Sequence, residues 1–230
     1  MSDWPEVLWL VRHAESRGNV ARAAAYAAKA EEMDIPDTDD RVPLSDLGRV
    51  QAGRLGAWFA ARPAQERPQG LVSSPYARAV ETARLLSARA GIEAPLALDE
   101  RFRDREQGIL DRLTWFGIER RYPQEAARRR AMGKFWYRPP GGESWADVAT
   151  RVRSALADMR LDLAGRRVLV VAHDVPILLV RYALDGLEPG EAVAMSGSLA
   201  NCSLTTYRTG PGGRPRLVGF NDTSALDGQP

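Results

Sequence analysis

Three short stretches of the chain are apolar without interruption: Val7-Leu8-Trp9-Leu10-Val11, Gly70-Leu71-Val72-Ser73 and Arg167-Val168-Leu169-Val170-Val171-Ala172. Runs of this length that do not alternate with polar residues predict strands buried on both faces. Each is followed by a helical pattern. Ser45 and Asp46 can cap a helix running to about Ala61, apolar residues recur at helical spacing from about Tyr76 to Ala90, and Ser144 with Asp147 opens a helix to about Leu161. Strands alternating with helices predict an α/β fold of three layers, a mostly parallel sheet flanked by helices. An antiparallel pair is expected at Ser203 to Tyr207 and Leu217 to Phe220, divided by the turn Gly210-Pro211-Gly212-Gly213, with a loose tail after Asn221.

The stretch Arg101 to Glu143 breaks this alternation and reads as an insertion, closed by the turn Pro139-Pro140-Gly141-Gly142. Insertions of this kind build a lid or wall over a site, or run as plain surface excursions. A helical lid is the expectation here. The arginines between Arg120 and Arg130 are expected on one helix, where such a run is ordinarily a solvated face.

At 230 residues the chain suits one large domain, and 44% hydrophobic with 27% charged residues is the balance of a folded globular protein. A net charge of +2 gives no broad electrostatic grip on nucleic acid, although the pI is near 8.9. No run is long enough to span a bilayer, and no secretory leader is evident at the start. A lone Cys202 excludes an internal disulfide framework and suits a reducing cytoplasm.

The chain has two histidines, His13 and His173, and each directly follows a predicted buried strand and precedes a helix. Ligands of open α/β sheets bind outside the carboxyl ends of the strands, so both imidazoles are expected to face one pocket, although either alone could be structural. Around the first lie Arg12, Glu15, Ser16 and Asn19. Arginine offers forked donors to phosphate oxygens, Ser16 and Asn19 offer neutral ones, and helix N-termini favour anions. Arg78 falls in the first turn of the helix after Ser73-Ser74-Pro75, where a cation opposes the helix dipole; an anionic ligand explains the placement better than helix stability.

Together these residues carry a resemblance to the histidine phosphatase superfamily, also called phosphoglycerate mutase-like. The motifs occur in the family's order: Leu10-Val11-Arg12-His13-Ala14-Glu15-Ser16 with Asn19, Leu44-Ser45-Asp46-Leu47-Gly48, Ser74-Pro75 with Arg78-Ala79 and Glu81-Thr82-Ala83, and Ala172-His173. They cover residues 7 to about 207. The resemblance implies that His13 attacks phosphorus and becomes phosphorylated, in a cradle of Arg12, Arg78 and His173, with Ser16 and Asn19 as neutral donors. It implies a small phosphorylated substrate and no cofactor or metal. The leaving oxygen needs a proton, and the family's acid position points to Asp104 in Phe102-Arg103-Asp104-Arg105-Glu106-Gln107-Gly108, with Glu106 as the alternative.

The chain departs from the family in places. Ala14 stands for a common glycine, a mild change. Asp174 stands where glycine usually follows the second histidine, and is expected to orient His173 or to cap the next helix. Gln107 and Leu110-Asp111-Arg112-Leu113 lack the tyrosine and lysine of the mutases, whereas Gly133-Lys134-Phe135-Trp136-Tyr137-Arg138 with Gly142-Glu143-Ser144 looks like the superfamily's broad-range phosphatases. Hydrolysis is therefore expected over mutase-type transfer. Arg120, Arg121, Trp136, Tyr137 and Arg138 are expected to wall the substrate. Two rivals stand beside this reading: a metal-dependent phosphohydrolase built on His173-Asp174, which two histidines poorly supply, and a non-catalytic phospho-ligand binding module. A homodimer is compatible with the sequence, which marks no apolar seam for one.

Overall fold

In the computed structural model, residues 3–227 are described. The chain alternates strands and helices: β1 (Val7–Arg12), α1 (Arg17–Ala27), α2 (Asp46–Ala60), β2 (Gly70–Ser73), α3 (Ala77–Ala90), β3 (Leu96–Leu98), α4 (Trp115–Arg121), α5 (Pro123–Met132), α6 (Trp145–Asp162), β4 (Arg167–Ala172), α7 (Asp174–Asp185), α8 (Pro189–Ala194), β5 (Leu204–Thr209), β6 (Pro215–Asp222) and α9 (Ser224–Asp227). One sheet has the order β3-β2-β4-β1-β5-β6. Its first four strands are parallel, and β5 and β6 add an antiparallel edge.

The uninterrupted apolar runs are explained by this sheet's two covered faces. Leu8, Leu10, Val168, Val170 and Ala172 point into a cluster closed by α6 and α7, while Val7, Trp9, Val11, Leu169 and Val171 point into another closed by α2 and α3. Successive side chains of a strand leave opposite faces, so a strand sandwiched between helix layers has no polar positions to spare. The expected mostly parallel sheet flanked by helices is what the chain adopts. The short strand β3 escaped the sequence reading because Leu96-Ala97-Leu98 is a partly exposed edge with no distinctive run.

Two expectations change. The arginines from Arg120 to Arg130 lie on two helices, since Tyr122 leaves the helical region (φ −133°, ψ 57°) ahead of Pro123, which starts α5. Clash with a following proline ring disfavours the α region for the residue before it. The tail after Asn221 is also less loose than expected: α9 follows, Ala225 is buried, and Arg54 donates to the Leu226 carbonyl at 3.1 Å. Residues 228–230 of that tail lie outside the described residues. The insertion holds a small core of its own, Leu110, Ile118, Ala126 and Tyr137.

The motif Leu44-Ser45-Asp46-Leu47-Gly48 is a clamp on the segment after β1. The Ser45 backbone N–H donates to the Glu15 carbonyl at 2.9 Å, the Ser45 hydroxyl donates to the Glu15 carboxylate at 2.7 Å, and Gln51 accepts from the Glu15 N–H at 2.9 Å. Gly48, in the first turn of α2, lets the Glu15 backbone approach so closely that a Cβ would lie 2.0 Å from the Glu15 oxygen. In an open helix, Gly→Ala is stabilising; here the clash reverses the sign. Gly48→Ala is expected to destabilise the fold by about 2 kcal/mol, a drop of several degrees in melting temperature, measurable by urea and thermal unfolding.

Candidate active site

The register of β1 against β4 pairs Arg12 with Ala172, so the next residue of each strand, His13 and His173, stands side by side at the carboxyl end of the sheet. The His13 backbone N–H donates to the Ala172 carbonyl at 2.9 Å. The ring centroids are 5.1 Å apart, and both imidazoles are buried. On the far side of β4, β2 ends at Ser73, and the Ser74 N–H donates to the Val171 carbonyl at 2.9 Å, which brings the Ser74 hydroxyl within 2.8 Å of His173 Nε2.

The state of His13 follows from its contacts. Nδ1 lies 2.8 Å from the Ala14 carbonyl oxygen, which can only accept, so Nδ1 carries the proton and Nε2 keeps its lone pair. Burial, then Arg78, His173 and Arg12, hold His13 well below the ordinary histidine range. It is a neutral ring with one nitrogen free. His173 is held low in the same way, by burial and then by Arg78 and Arg12. It is therefore a hydrogen-bonding ring rather than a third cation. Its Nδ1 has no hydrogen-bond partner and lies 3.7 Å from Asp104 Oδ2.

Arg78 is buried in the first turn of α3, where both Nη nitrogens of its guanidinium are engaged. Nη1 donates to the Asp39 carbonyl and lies 3.1 Å from Asp39 Oδ1, while Nη2 donates to Asp39 Oδ2 and to Asp104 Oδ2, each at 3.3 Å. Asp39 had no signal in the sequence, because its partner is far along the chain. Burial pushes its carboxyl up to about 6, against the pull of Arg78 and with the help of Asp104. Arg12 donates through Nη1 to the Leu199 carbonyl, and its Nε is buried without a partner.

Asp104 and Glu106 are separated by the fold. Arg151 of α6 donates to the carbonyls of Arg101 (2.6 Å), Arg103 (2.9 Å) and Asp104 (3.0 Å), fixing that backbone so that Asp104 reaches Arg78 and His173. Gly108 turns the chain just beyond, with φ +54° and a Cβ position only 2.1 Å from the Pro140 oxygen, so only glycine fits. Glu106 points elsewhere, accepting from the Tyr76 hydroxyl at 2.7 Å.

Ser16 and Asn19 form a capping box at the start of α1. Asn19 Oδ1 accepts from the Ser16 N–H and hydroxyl, both at 3.0 Å, and from Asn201 Nδ2 at 3.1 Å, leaving the Asn19 NH₂ for a ligand. The Ser16 hydroxyl is thus spent on the cap. Asn201, which also donates to the His13 carbonyl at 3.0 Å, was missed by the sequence reading. Asp174 does not bond an imidazole or cap α7; His173 is the N-cap residue, and Asp174 Oδ2 accepts from the Gly197 N–H at 3.0 Å. The expected wall also dissolves in part. Arg120 and Arg121 pair with Glu31, Arg138 with Asp147, and Tyr137 is buried with its hydroxyl on Glu125 at 2.8 Å, leaving only Trp136 exposed and unpaired with a carboxylate. Among the described residues, no group of three or more His, Cys, Asp or Glu side chains is placed to hold a metal ion. Nor is any helix among them long and apolar enough to cross a membrane.

Comparison with known proteins bears on this arrangement. The profile of the histidine phosphatase superfamily (branch 1) matches residues 8–223. A phosphoglycerate mutase-like protein of Arabidopsis thaliana, AT74, is 31% identical over 78% of this chain, which spans only 55% of that relative's length. A probable phosphoglycerate mutase of Photorhabdus laumondii is 31% identical over 86% of this chain and 82% of its own. Among solved structures, a mycobacterial glucosyl-3-phosphoglycerate phosphatase in complex with VO3 superposes with a TM-score of 0.71 at 27% identity, covering 94% of this chain and 99% of that one. An α-ribazole-5′-phosphate phosphatase of Escherichia coli shares the fold, with a TM-score of 0.78 at 17% identity over 95% and 97% of the two chains. With the paired histidines at the strand ends and the family's motifs in order around them, this chain belongs to branch 1 of the histidine phosphatase superfamily.

Proposed function

We propose that the protein is a phosphomonoesterase that hydrolyses a small phosphorylated metabolite through a phosphohistidine at His13. The observation that carries this reading is the buried neutral imidazole whose Nδ1–H is tied to the Ala14 carbonyl, so that its free Nε2 opens on a site lined by Arg12, Arg78 and His173. A neutral imidazole is a nucleophile, and cations beside it stabilise charge on the equatorial oxygens of a loose phosphoryl-transfer transition state.

In the first step the Nε2 lone pair forms an N–P bond as the P–O bond to the alcohol breaks, and the Asp104 carboxyl passes its proton to the leaving oxygen. In the second, water attacks the phosphohistidine, the N–P bond breaks, orthophosphate leaves, and Asp104 takes the proton that the water gives up. Asp104 is favoured for this role over Glu106, which is bound to Tyr76. Both named phosphatases and named mutases match the chain; Gln107 and Arg112 at the mutase-distinguishing positions favour water as the acceptor.

Both Nη nitrogens of Arg78 are engaged by acidic residues. A phosphoryl group can take both Nη donors only if the Asp39 carboxylate lets go, so Asp39 competes with the ligand. The carboxyl titrates at about 6, so it is ionised and competing above that pH and protonated and weakly competing below it.

Three outcomes are expected. Wild-type protein hydrolyses p-nitrophenyl phosphate in the presence of a chelator and acquires an acid-labile, alkali-stable phosphoryl label, whereas His13→Ala loses at least about a thousandfold of turnover and all of the label; turnover that survives in the variant contradicts the mechanism. Asp104→Asn lowers kcat about a hundredfold or more on alkyl phosphates and far less on p-nitrophenyl phosphate, whose leaving group needs no proton, and Glu106→Gln has the smaller effect on both; the reverse ranking assigns the acid to Glu106. Asp39→Asn tightens orthophosphate binding about three- to tenfold at pH 7.5, with the gain disappearing at pH 5, as read by calorimetric titration.

A further inference from the structure

The proton on His13 depends on one acceptor, the Ala14 carbonyl oxygen 2.8 Å from Nδ1. Which nitrogen of a neutral imidazole carries the proton is set by the hydrogen bonds made around the ring. A ring bonded to the carbonyl of the very next residue is held only as firmly as that peptide group. Ala14 lies beyond the end of β1 and before the start of α1, where neither a strand ladder nor a helix fixes the backbone.

The hold comes from α2 and α3, which pack on the same face of the sheet. The Ala14 N–H donates to the Thr82 hydroxyl at 3.0 Å, and that hydroxyl donates to the Arg78 carbonyl, one turn earlier on α3, at 2.7 Å. A hydroxyl has one proton to give and the Arg78 carbonyl can only accept it, so a Thr82 lone pair is left for Ala14. On the other side of Ala14, the Glu15 N–H donates to Gln51 of α2 at 2.9 Å. The Glu15 N–H and the Ala14 carbonyl belong to one planar trans peptide group, so the bond that holds the N–H also aims the carbonyl, in the opposite direction.

Thr82 thus fixes the peptide plane before the Ala14 Cα, and Gln51 the plane after it. The His13 N–H is already on the Ala172 carbonyl at 2.9 Å, and the His13 carbonyl accepts from Asn201 Nδ2 at 3.0 Å, so the backbone on both sides of the ring is tied. Packing agrees with this. Ala14 and Thr82 are fully buried, and Ala14 shares its apolar cluster with Ala52 of α2 and with Ala79 and Ala83 of α3, small side chains that let both helices close on the segment. Through the Arg78 carbonyl, Thr82 also ties the His13 segment to the helix turn that carries the Arg78 guanidinium.

We propose that Thr82 and Gln51 are positioning residues for His13: by holding the two peptide groups that flank Ala14, they keep the proton on Nδ1 and leave the Nε2 lone pair for phosphorus. The inference rests on the phosphomonoesterase reading above and adds two side chains that act through the Ala14 backbone. Loss of either tie lets the Nε2–H tautomer form, which has no lone pair at the attacking nitrogen. The guanidiniums of Arg12 and Arg78 stay in place, so chemistry slows while phosphate binding persists.

The test reads the ring nitrogens directly. In protein labelled with ¹⁵N-histidine, long-range ¹H–¹⁵N spectra show which nitrogen of each imidazole is bare, and His13→Ala identifies the signals of His13, because the chain has two histidines. The wild type is expected to show His13 protonated at Nδ1 and bare at Nε2. Thr82→Val keeps the side-chain shape without the hydroxyl, and Gln51→Met keeps the length without the amide. Each should draw the two His13 shifts together and lower kcat on p-nitrophenyl phosphate about tenfold or more, with KM and orthophosphate affinity changed less than about threefold. Thr82→Ser restores spectrum and rate, and Leu86→Val, a core change on the same helix, leaves both as in the wild type. Wild-type kcat in both Thr82→Val and Gln51→Met overturns the proposal, as does a loss of kcat with the His13 shifts unchanged, or one matched by an equal loss of orthophosphate affinity. If Thr82→Val does not fold, Gln51→Met decides by the same readings, since Gln51 is only half-buried. If the wild type turns over no phosphomonoester, the phosphatase reading fails separately, and the spectra decide the positioning role: converging His13 shifts in the variants uphold it, and unchanged shifts overturn it.

Discussion

The hydrogen-bonded parallel pairing of β1 with β4 determines where everything else must go. With Arg12 opposite Ala172 and the His13 N–H on the Ala172 carbonyl, the two histidines leave the sheet at the same level and in contact. Two central parallel strands are buried on both faces, so helices must cover each side, and the connections that bring those helices back deliver their N-termini to the carboxyl end of the sheet. The first turn of α3 supplies Arg78, that of α1 supplies Asn19, and α7 begins at His173 itself. Shifting the register by one residue would move His13 or His173 to the opposite face and take the site apart.

Electrostatics then sets the state of the assembled groups. Burial alone would leave two imidazoles neutral, and the adjacent guanidiniums reinforce this, so the cations that can hold an anion also keep His13 unprotonated. Arginine suits that double task because its own charge survives burial. These charges are balanced unevenly: the Nη nitrogens of Arg78 are engaged by Asp39 and Asp104, whereas Arg12 and Arg105 each retain a buried Nε with no acceptor. Buried donors without acceptors are uncommon in folded proteins, and the unpartnered Nε of Arg12 near His13 suits an anion.

Positioning is achieved by backbone staples more than by packing. Ser45 and Gln51 hold Glu15 next to His13, Gly48 admits that close approach, Arg151 grips the carbonyls of Arg101, Arg103 and Asp104, and Asn201 ties the His13 carbonyl to Asn19. These bonds fix the segments from several elements at once, which keeps His13, Asp104 and His173 in place although all three lie between regular elements.

Local physics was readable directly from the chain. Unbroken apolar runs marked β1, β2 and β4, serines at positions 45 and 144 marked helix starts, and the placing of His13, His173 and Arg78 just beyond strands marked the site, because periodicity, capping and strand ends depend on near neighbours. The break at Tyr122–Pro123 was equally local, but the arginines flanking it concealed it. Only the folded chain decided which of the 32 lysines and arginines meet a carboxylate, that Asp39 occupies Arg78, that Asp104 rather than Glu106 faces His173, and that Asp174 turns to Gly197. Those outcomes depend on which distant side chains meet and how much water is removed as they do; charge pairing and desolvation are properties of proximity in space, for which order along the chain carries no signal.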